Sequence, residues 1–283
     1  SGCLLLTDFI KDIIYCFVEV ITEWLPISSS GHLILLEKLM PLNMGDEFFS
    51  MFEVVIQLGA ILAVVVLFWN QIFPFHFGKA KAQKEGFIDK GIMILWFKII
   101  VACVPAAVIG VFFDDFFEAL FYRYEVVAVA LIVFGVAFIL IENWNKGKQA
   151  KIASLSQITY QTALIIGVFQ LIAAIFPGTS RSGATIVGAL LIGVSRTVAA
   201  EFTFFLAIPV MFGASLLKIV KFGFHFTAME ASVLLVSMAA AFAVSMLVIR
   251  FLMGYIKKHD FKVFGWYRIV LGIIVLVFFG MIV

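Results

Sequence analysis

The sequence predicts an all-α polytopic membrane protein made of two inverted-topology repeats, each a re-entrant helix hairpin followed by three transmembrane helices. Three observations point there. The chain of 283 residues is 64% hydrophobic and 13% charged, with 33 phenylalanines, more apolar surface than a water-soluble domain of that size can enclose. Six segments, about 48–69, 92–113, 125–141, 200–220, 228–253 and 264–283, supply the roughly 20 apolar residues that a bilayer crossing needs. Two further apolar regions, 8–41 and 158–195, are broken near their centres by proline and small polar residues.

The first break runs Pro26-Ile27-Ser28-Ser29-Ser30-Gly31 and the second Pro177-Gly178-Thr179-Ser180-Arg181-Ser182-Gly183. Irregular backbone at membrane depth is tolerated only where protein or a water-filled cavity satisfies its polar groups, so both breaks are expected inside the molecule, as the tips of hairpins. The halves also echo each other. Pro26 with Ser28-Ser29 matches Pro177 with Thr179-Ser180 at a shift of 151, which sets Glu19 on Gln170, and Glu53 with Leu58 matches Glu201 with Leu206 at a shift of 148. This divides the single membrane domain into a first repeat of about 8–141, a linker 142–157 and a second repeat of about 158–283. A hairpin returns the chain to its starting side and three spans do not, so the second copy enters upside down, as in many transporters.

Charge sets the orientation. On this topology Lys79, Lys81, Lys84 and Lys90, the linker lysines Lys146, Lys148 and Lys151, and Lys257, Lys258 and Lys262 share one side, which the excess of positive residues makes cytoplasmic. The acidic loop of Asp114, Asp115 and Glu118 and both termini then face out, with Arg123, Lys218 and Lys221 as a smaller basic set, and the first hairpin opens outward. The net charge of +2 by itself says little about partners, since in a membrane protein the placement of positive residues is what matters; no nucleic-acid partner is expected. Cys3, Cys16 and Cys103 sit in apolar surroundings without metal-ligand spacing and read as small core residues.

The polar residues in the hairpins carry the chemistry. Glu19 and Glu23 share one helix face; in a low dielectric the pair is expected to hold one proton near neutrality unless a cation lies between. Pro26 ends that helix, and Ser28, Ser29 and Ser30, followed by Gly31 and His32, form a polar floor where a nucleophile and a proton carrier can meet. In the second break Arg181, flanked by Ser180 and Ser182 among Gly178, Thr179, Gly183 and Thr185, offers fixed donors beside a helix N-terminus, suited to an anion with several oxygens, above all phosphate. Plainer readings stand beside these: acids lining a hydrated vestibule, a serine capping the next helix, and Arg181 paired with Glu19 or Glu23 without a ligand. Glu53, Gln57, Gln170 and Glu201 are expected to support the hairpins, while Lys98 and Arg196 reach an interface by extension.

"FVEVITEWLPISSSGH", "FEVVIQLGAILAVV" and "FPGTSRSGATI...GVSRTVAAEFTFFLAIP" together resemble the bacterial undecaprenyl-diphosphate phosphatase family, also known as the bacitracin-resistance family, over essentially the whole chain. The resemblance implies removal of the terminal phosphate from the C55 isoprenoid diphosphate, which regenerates the monophosphate carrier for peptidoglycan synthesis, at an outward-facing site in the cell membrane, with bacitracin competing for the substrate. The family's acid-rich motif falls on Glu19 and Glu23, its serine and histidine motif on Ser28, Ser29, Gly31 and His32, and its arginine motif on Pro177, Gly178, Ser180, Arg181, Ser182, Gly183 and Thr185. Val20 departs from the glycine common in relatives. Joined to the residue chemistry, this gives Arg181 as the diphosphate clamp, Ser29 as nucleophile with Glu23 and His32 handling its proton, and Glu19 adjusting Glu23. Ser28 and direct attack by water remain alternatives. A magnesium or calcium ion bridging Glu19, Glu23 and phosphate oxygens is an expectation of the resemblance, and no organic cofactor is expected. A flippase or anion transporter is the rival on the same fold, and both monomer and homodimer stay open.

Overall fold

The computed structural model describes residues 2–43, 45–223 and 225–282, with the side chains of residues 2–5 and 46, Cys3 among them, outside that description. Helices α1 (Gly2–Trp24) and α2 (Ser29–Leu39) flank the first break. A long α3 (Asp46–Leu67), short α4 (Trp69–Ile72) and α5 (Lys79–Glu85), long α6 (Lys90–Phe112), short α7 (Asp114–Phe121) and long α8 (Tyr124–Trp144) follow. Helices α9 (Tyr160–Ile175) and α10 (Arg181–Leu191) flank the second break, and α11 (Arg196–Phe222), α12 (Ala228–Ile256) and α13 (Lys262–Ile282) complete the order. No strand occurs among the described residues. Six of these helices, α3, α6, α8, α11, α12 and α13, are long and apolar enough to cross a membrane, and they coincide with the six predicted segments to within a few residues.

The packing follows from where each helix keeps its small and its bulky residues. On α6, Ile94, Phe97, Ile100, Val104, Val108 and Val111 are exposed while Leu95, Ile99, Ala102 and Cys103 are buried; the spacing of three to four residues puts each set on its own face, the first one suited to lipid. Helix α3 is the most buried of the six and packs on both α11 and α12. Helices α8 and α13 lie against each other, and glycine allows it: a Cβ added at Gly135 would sit 2.7 Å from the Gly265 carbonyl oxygen, and one at Gly265 2.7 Å from that of Gly135. Small residues let helix backbones approach in this way where no hydrophobic force drives them together.

The two halves exchange partners. Helix α1, before the first break, packs on α12, and α9, before the second break, packs on α6. The end of α1 is pinned across the halves, because buried Trp24 donates from Nε1 to Ser245 Oγ at 2.9 Å and stands edge-on to Phe204 at 5.6 Å. The stretch 142–157 is tied down: buried Glu142 accepts from the Arg196 Nε at 2.9 Å and from the Phe261 amide at 2.7 Å, and Lys151 donates its amide to the Gly193 carbonyl at 2.8 Å. Cys16 and Cys103 are both buried and free, as small core residues should be.

Candidate active site

Both breaks are built on the same local device. Pro26 stops α1, and Ser28 then takes φ 72° and caps α2, its Oγ accepting from the Gly31 amide at 3.1 Å. In the second break Ser180 takes φ 73° and caps α10, its Oγ accepting from the Gly183 amide at 3.1 Å. These two serines are the only non-glycine residues with positive φ among those described, a conformation that costs about 1–3 kcal/mol and persists only where its surroundings enforce it. Ser28 therefore corresponds to Ser180, one residue away from the sequence alignment that set Ser29 there. The reason is one extra residue after Pro177, taken up by Gly178.

Gly178 has φ 96°, and a Cβ there would lie 2.4 Å from the Val127 carbonyl oxygen. Both conditions demand glycine. Replacing Gly178 by alanine is expected to shift the second break off α8 and to lower the thermal midpoint in detergent by several degrees, with a larger proportional loss of activity because Arg181 follows three residues later.

The tips converge. Arg181 opens α10 and donates from Nε to Glu23 Oε1 at 3.3 Å and from Nη1 to the Thr203 carbonyl at 2.9 Å. Its Nη2 is buried without a hydrogen-bond partner among the described residues, and a buried donor left unmade costs about 1–3 kcal/mol. Beside it lies a cavity of about 150 Å³ whose polar lining is Glu19, Glu23, Gln57 and Arg181, with α3 and α11 supplying apolar walls from Ile56, Ala60, Val210, Met211 and Ala214. The charges that bear on Glu19 are Glu23, Glu53 and Lys218. A guanidinium with one nitrogen free of protein partners among the described residues, beside two carboxylates that line a small cavity, can bind a polyanionic group and exchange protons with it.

The remaining motif residues surround this cavity without lining it. Ser182 Oγ contacts Ser180 Oγ at 3.1 Å and donates to the Leu25 carbonyl at 3.5 Å, joining the second break to the first. Thr185 donates to the Arg181 carbonyl at 2.8 Å and contacts the Thr203 hydroxyl, which steadies the turn that bears the arginine. Gly31 and Gly183 are buried, and a Cβ would meet Leu131 at 2.9 Å and Arg268 at 2.7 Å respectively. Thr179 is buried with its hydroxyl unpaired. Ser29 and Ser30 stand half-buried on the first turn of α2. His32 is held apart from the cavity: Nδ1 donates to the Ser28 carbonyl at 2.7 Å, which leaves Nε2 to accept from the Tyr267 hydroxyl at 2.6 Å, with the two rings stacked. That tautomer is the one a carbonyl partner requires.

Among the expected supporting residues, Gln57 lines the cavity, Glu53 pairs with Lys218, and Gln170 donates to the Ala102 carbonyl at 3.3 Å. Glu201 instead accepts from Gln71 at 3.4 Å, an exposed contact. Arg196 keeps a partly exposed side chain on Glu142, whereas Lys98 is buried, 5.8 Å over the Tyr160 ring.

One residue escaped the motif reading. Arg268 on α13 is completely buried and donates to carbonyls of Pro26 at 3.3 Å, Leu131 at 3.4 Å, Ala130 at 3.5 Å, Gly178 at 3.0 Å and Thr179 at 2.7 Å. It thus ties both breaks to α8 with one planar group, its charge balanced by carbonyl dipoles. The signal was present in the sequence as a lone cation about two turns into the apolar helix α13, which is expensive and marks function or its support.

Comparison with known proteins agrees over the whole length. The profile of the bacitracin resistance protein BacA family matches residues 12–274. The chain is 63% identical over 275 residues to the undecaprenyl-diphosphatase of Desulfitobacterium hafniense, covering 97% of each. It is 60% identical to undecaprenyl-diphosphatase 1 of Clostridium acetobutylicum, over 96% of this chain and 97% of that one, and 60% identical to an undecaprenyl-diphosphatase of Enterococcus faecalis, over 95% and 96%.

Proposed function

The chain belongs to the bacitracin resistance protein BacA family, and we propose that it is an integral membrane phosphatase that hydrolyses undecaprenyl diphosphate to undecaprenyl phosphate and inorganic phosphate, so that the carrier lipid is reused in peptidoglycan synthesis. The observation that carries this reading is the junction of Arg181 and Glu23 at a cavity between the two breaks, with one buried guanidinium N–H left open. Phosphoryl transfer needs little covalent help; it needs the terminal phosphate held in place and its charge offset. Arg181 is suited to both.

Attack falls to Ser29. The Ser28 hydroxyl is committed to the Gly31 amide, while Ser29 is on the first turn of α2 just after the strained residue. Its Oγ attacks the terminal phosphorus, the bond from phosphorus to the bridging oxygen breaks, and undecaprenyl phosphate leaves with the electron pair. The hydroxyl proton goes to Glu23; His32, a turn further along α2, can take it only by giving up the Tyr267 hydroxyl that its Nε2 accepts from. Water then cleaves the phosphoserine and restores Ser29. Direct attack by water is the second reading, favoured by Glu19, Glu23 and Arg181 lining a cavity that Ser29 does not line. Trapping with labelled substrate separates them: a phosphoenzyme that Ser29→Ala abolishes together with turnover supports the serine route, and turnover retained in Ser29→Ala assigns the attack to water.

The donors near the cavity, Glu19, Glu23 and the Gln57 amide oxygen, are all oxygen, the set that magnesium and calcium take. Glu23 and Gln57 already accept hydrogen bonds from Arg181 and Ser215, and no third acid, histidine or cysteine joins Glu19 and Glu23 within ligating distance among the described residues. A cation would be held by Glu19 together with the oxygens of bound substrate, where it would offset phosphate charge.

The matching serine caps and the exchange of partners between α1 with α12 and α9 with α6 support an inverted repeat whose broken pairs are re-entrant, and the lysine distribution supports an outward-facing site. The family's name points to bacitracin as a competitor for the same lipid diphosphate. The test is direct: purified protein in detergent releases one phosphate per undecaprenyl diphosphate and leaves the monophosphate. Movement of the lipid between leaflets of proteoliposomes with no phosphate released would instead favour the flippase.

A further inference from the structure

From the ion pair Glu53–Lys218 beyond the cavity we infer that Lys218 is a second phosphate-binding residue, held in reserve by Glu53 and released to an incoming or departing phosphate. The inference rests on the proposed phosphatase reading and adds a group to its site. Four observations lead to it. The cavity is walled by α3 and α11, and Gln57, which lines it, accepts from Ser215 at 2.9 Å. One turn further along the same two helices, toward the start of α3 and the end of α11, Glu53 and Lys218 form an ion pair with side chains 23% and 29% exposed. At the other end Arg181 is only 11% exposed and its partner Glu23 25%, so Lys218 is the more accessible of the two cations. Lys218 and Glu53 both act electrostatically on Glu19, which lines the cavity between the two ends.

Charge explains why such a residue is needed. The cluster holds three carboxylates, Glu19, Glu23 and Glu53, against two cations, Arg181 and Lys218, and in Arg181 Nη2 alone is without any protein partner among the described residues. A diphosphate has two charged phosphates, and one open guanidinium edge meets one of them. Lysine suits the second role: its ammonium is a mobile point charge on a flexible stem, without a fixed fork to be broken when it changes partners. A partly exposed ion pair of this kind adds little to stability, so exchanging the Glu53 carboxylate for a phosphate oxygen is easy. The apolar tail of the substrate does not need this polar track. The lipid-linked phosphate on the way in or the free phosphate on the way out does.

The test uses opposite substitutions in the full-length protein in detergent. Lys218→Gln is expected to raise, by about tenfold, the KM for undecaprenyl diphosphate, the inhibition constant of inorganic phosphate, or both. Glu53→Gln, which frees the lysine, is expected to lower the same constant. A change in KM alone assigns Lys218 to the lipid-linked phosphate, and a change in phosphate inhibition alone assigns it to the product. If both substitutions lower the thermal midpoint alike and move neither constant, the pair is only a tie between α3 and α11 and the inference fails. Binding of inorganic pyrophosphate, followed by thermal shift, needs no turnover: if the wild type releases no phosphate from the lipid, the phosphatase reading fails, while pyrophosphate stabilisation weakened in Lys218→Gln still upholds the lysine and its absence overturns it.

Discussion

Arg181→Ala is expected to reduce phosphate release from undecaprenyl diphosphate by about a thousandfold or more, the scale on which an arginine that offsets charge in phosphoryl transfer acts; at about 1.4 kcal/mol per factor of ten this is roughly 4 kcal/mol of barrier. Arg181 holds Glu23 and the Thr203 carbonyl with two of its nitrogens, and its third is buried without a partner among the described residues in a side chain that lines the cavity, so truncation removes both the proposed anion contact and the partner of a carboxylate. Arg181→Lys separates these effects. It keeps the charge but loses the planar fork, and a residual activity about ten- to a hundredfold below wild type is expected, against near-complete loss for alanine. Thermal unfolding in detergent is the control: a midpoint close to wild type in both variants assigns the loss to the site, whereas full activity in Arg181→Ala would remove the clamp from the account.

Arg268→Met is expected to be the most damaging change outside the cavity. The guanidinium is enclosed and donates to carbonyls of Pro26, Ala130, Leu131, Gly178 and Thr179; methionine fills much of the volume and takes the donor away from the carbonyls of Pro26, Gly178 and Thr179 in the two breaks, while those of Ala130 and Leu131 keep their places in the α8 ladder. A buried acceptor left unmade costs about 1–3 kcal/mol, and with several of them in the two breaks the thermal midpoint should fall clearly below that of the wild type. Arg268 does not touch the cavity, so its effect on the reaction passes through position. A displacement of about 1 Å at the Arg181 turn is enough to cost roughly a hundredfold in rate, and it should appear in kcat more than in KM. Arg268→Lys, which keeps the charge but cannot reach both breaks at once, should recover part of the stability and little of the rate.

How much of this was legible in the sequence differs between levels. The six spans were, because a run of 20 apolar residues admits few structures in a bilayer. The breaks were, because Pro26 and Pro177 are followed by runs of small polar residues that cannot face lipid, unlike Pro105 and Pro209, which sit inside α6 and α11 among apolar neighbours. The direct contact of Arg181 with Glu23 was present in the sequence only as the plainer reading beside the phosphate clamp, and there Glu19 and Glu23 were equal candidates. What the sequence left hidden is helix rotation: a uniformly apolar helix has no polar stripe to say which face turns inward, so neither the reach of Arg268 toward both breaks nor the pairing of His32 with Tyr267 could be read from spacing. For the same reason Glu201, placed by alignment beside the hairpins, turned out to meet Gln71 instead. The one-residue slip between Ser28 and Ser29 had another cause. Both serines have the right chemistry, and only the backbone, with φ 72° at Ser28, distinguishes the cap from its neighbour.

The central claim is that the two breaks meet around the terminal phosphate of the substrate. It is tested most directly by a structure with a methylene-bridged isoprenyl diphosphonate, which cannot be hydrolysed at the bridge. The account predicts the terminal phosphonate in the cavity, within hydrogen-bond distance of Arg181 Nη2 and beside Glu19 and Glu23, with the lipid tail leaving between helices. A diphosphonate seated against His32 and Tyr267, with Arg181 still closed on Glu23 and untouched by phosphonate oxygen, would contradict it.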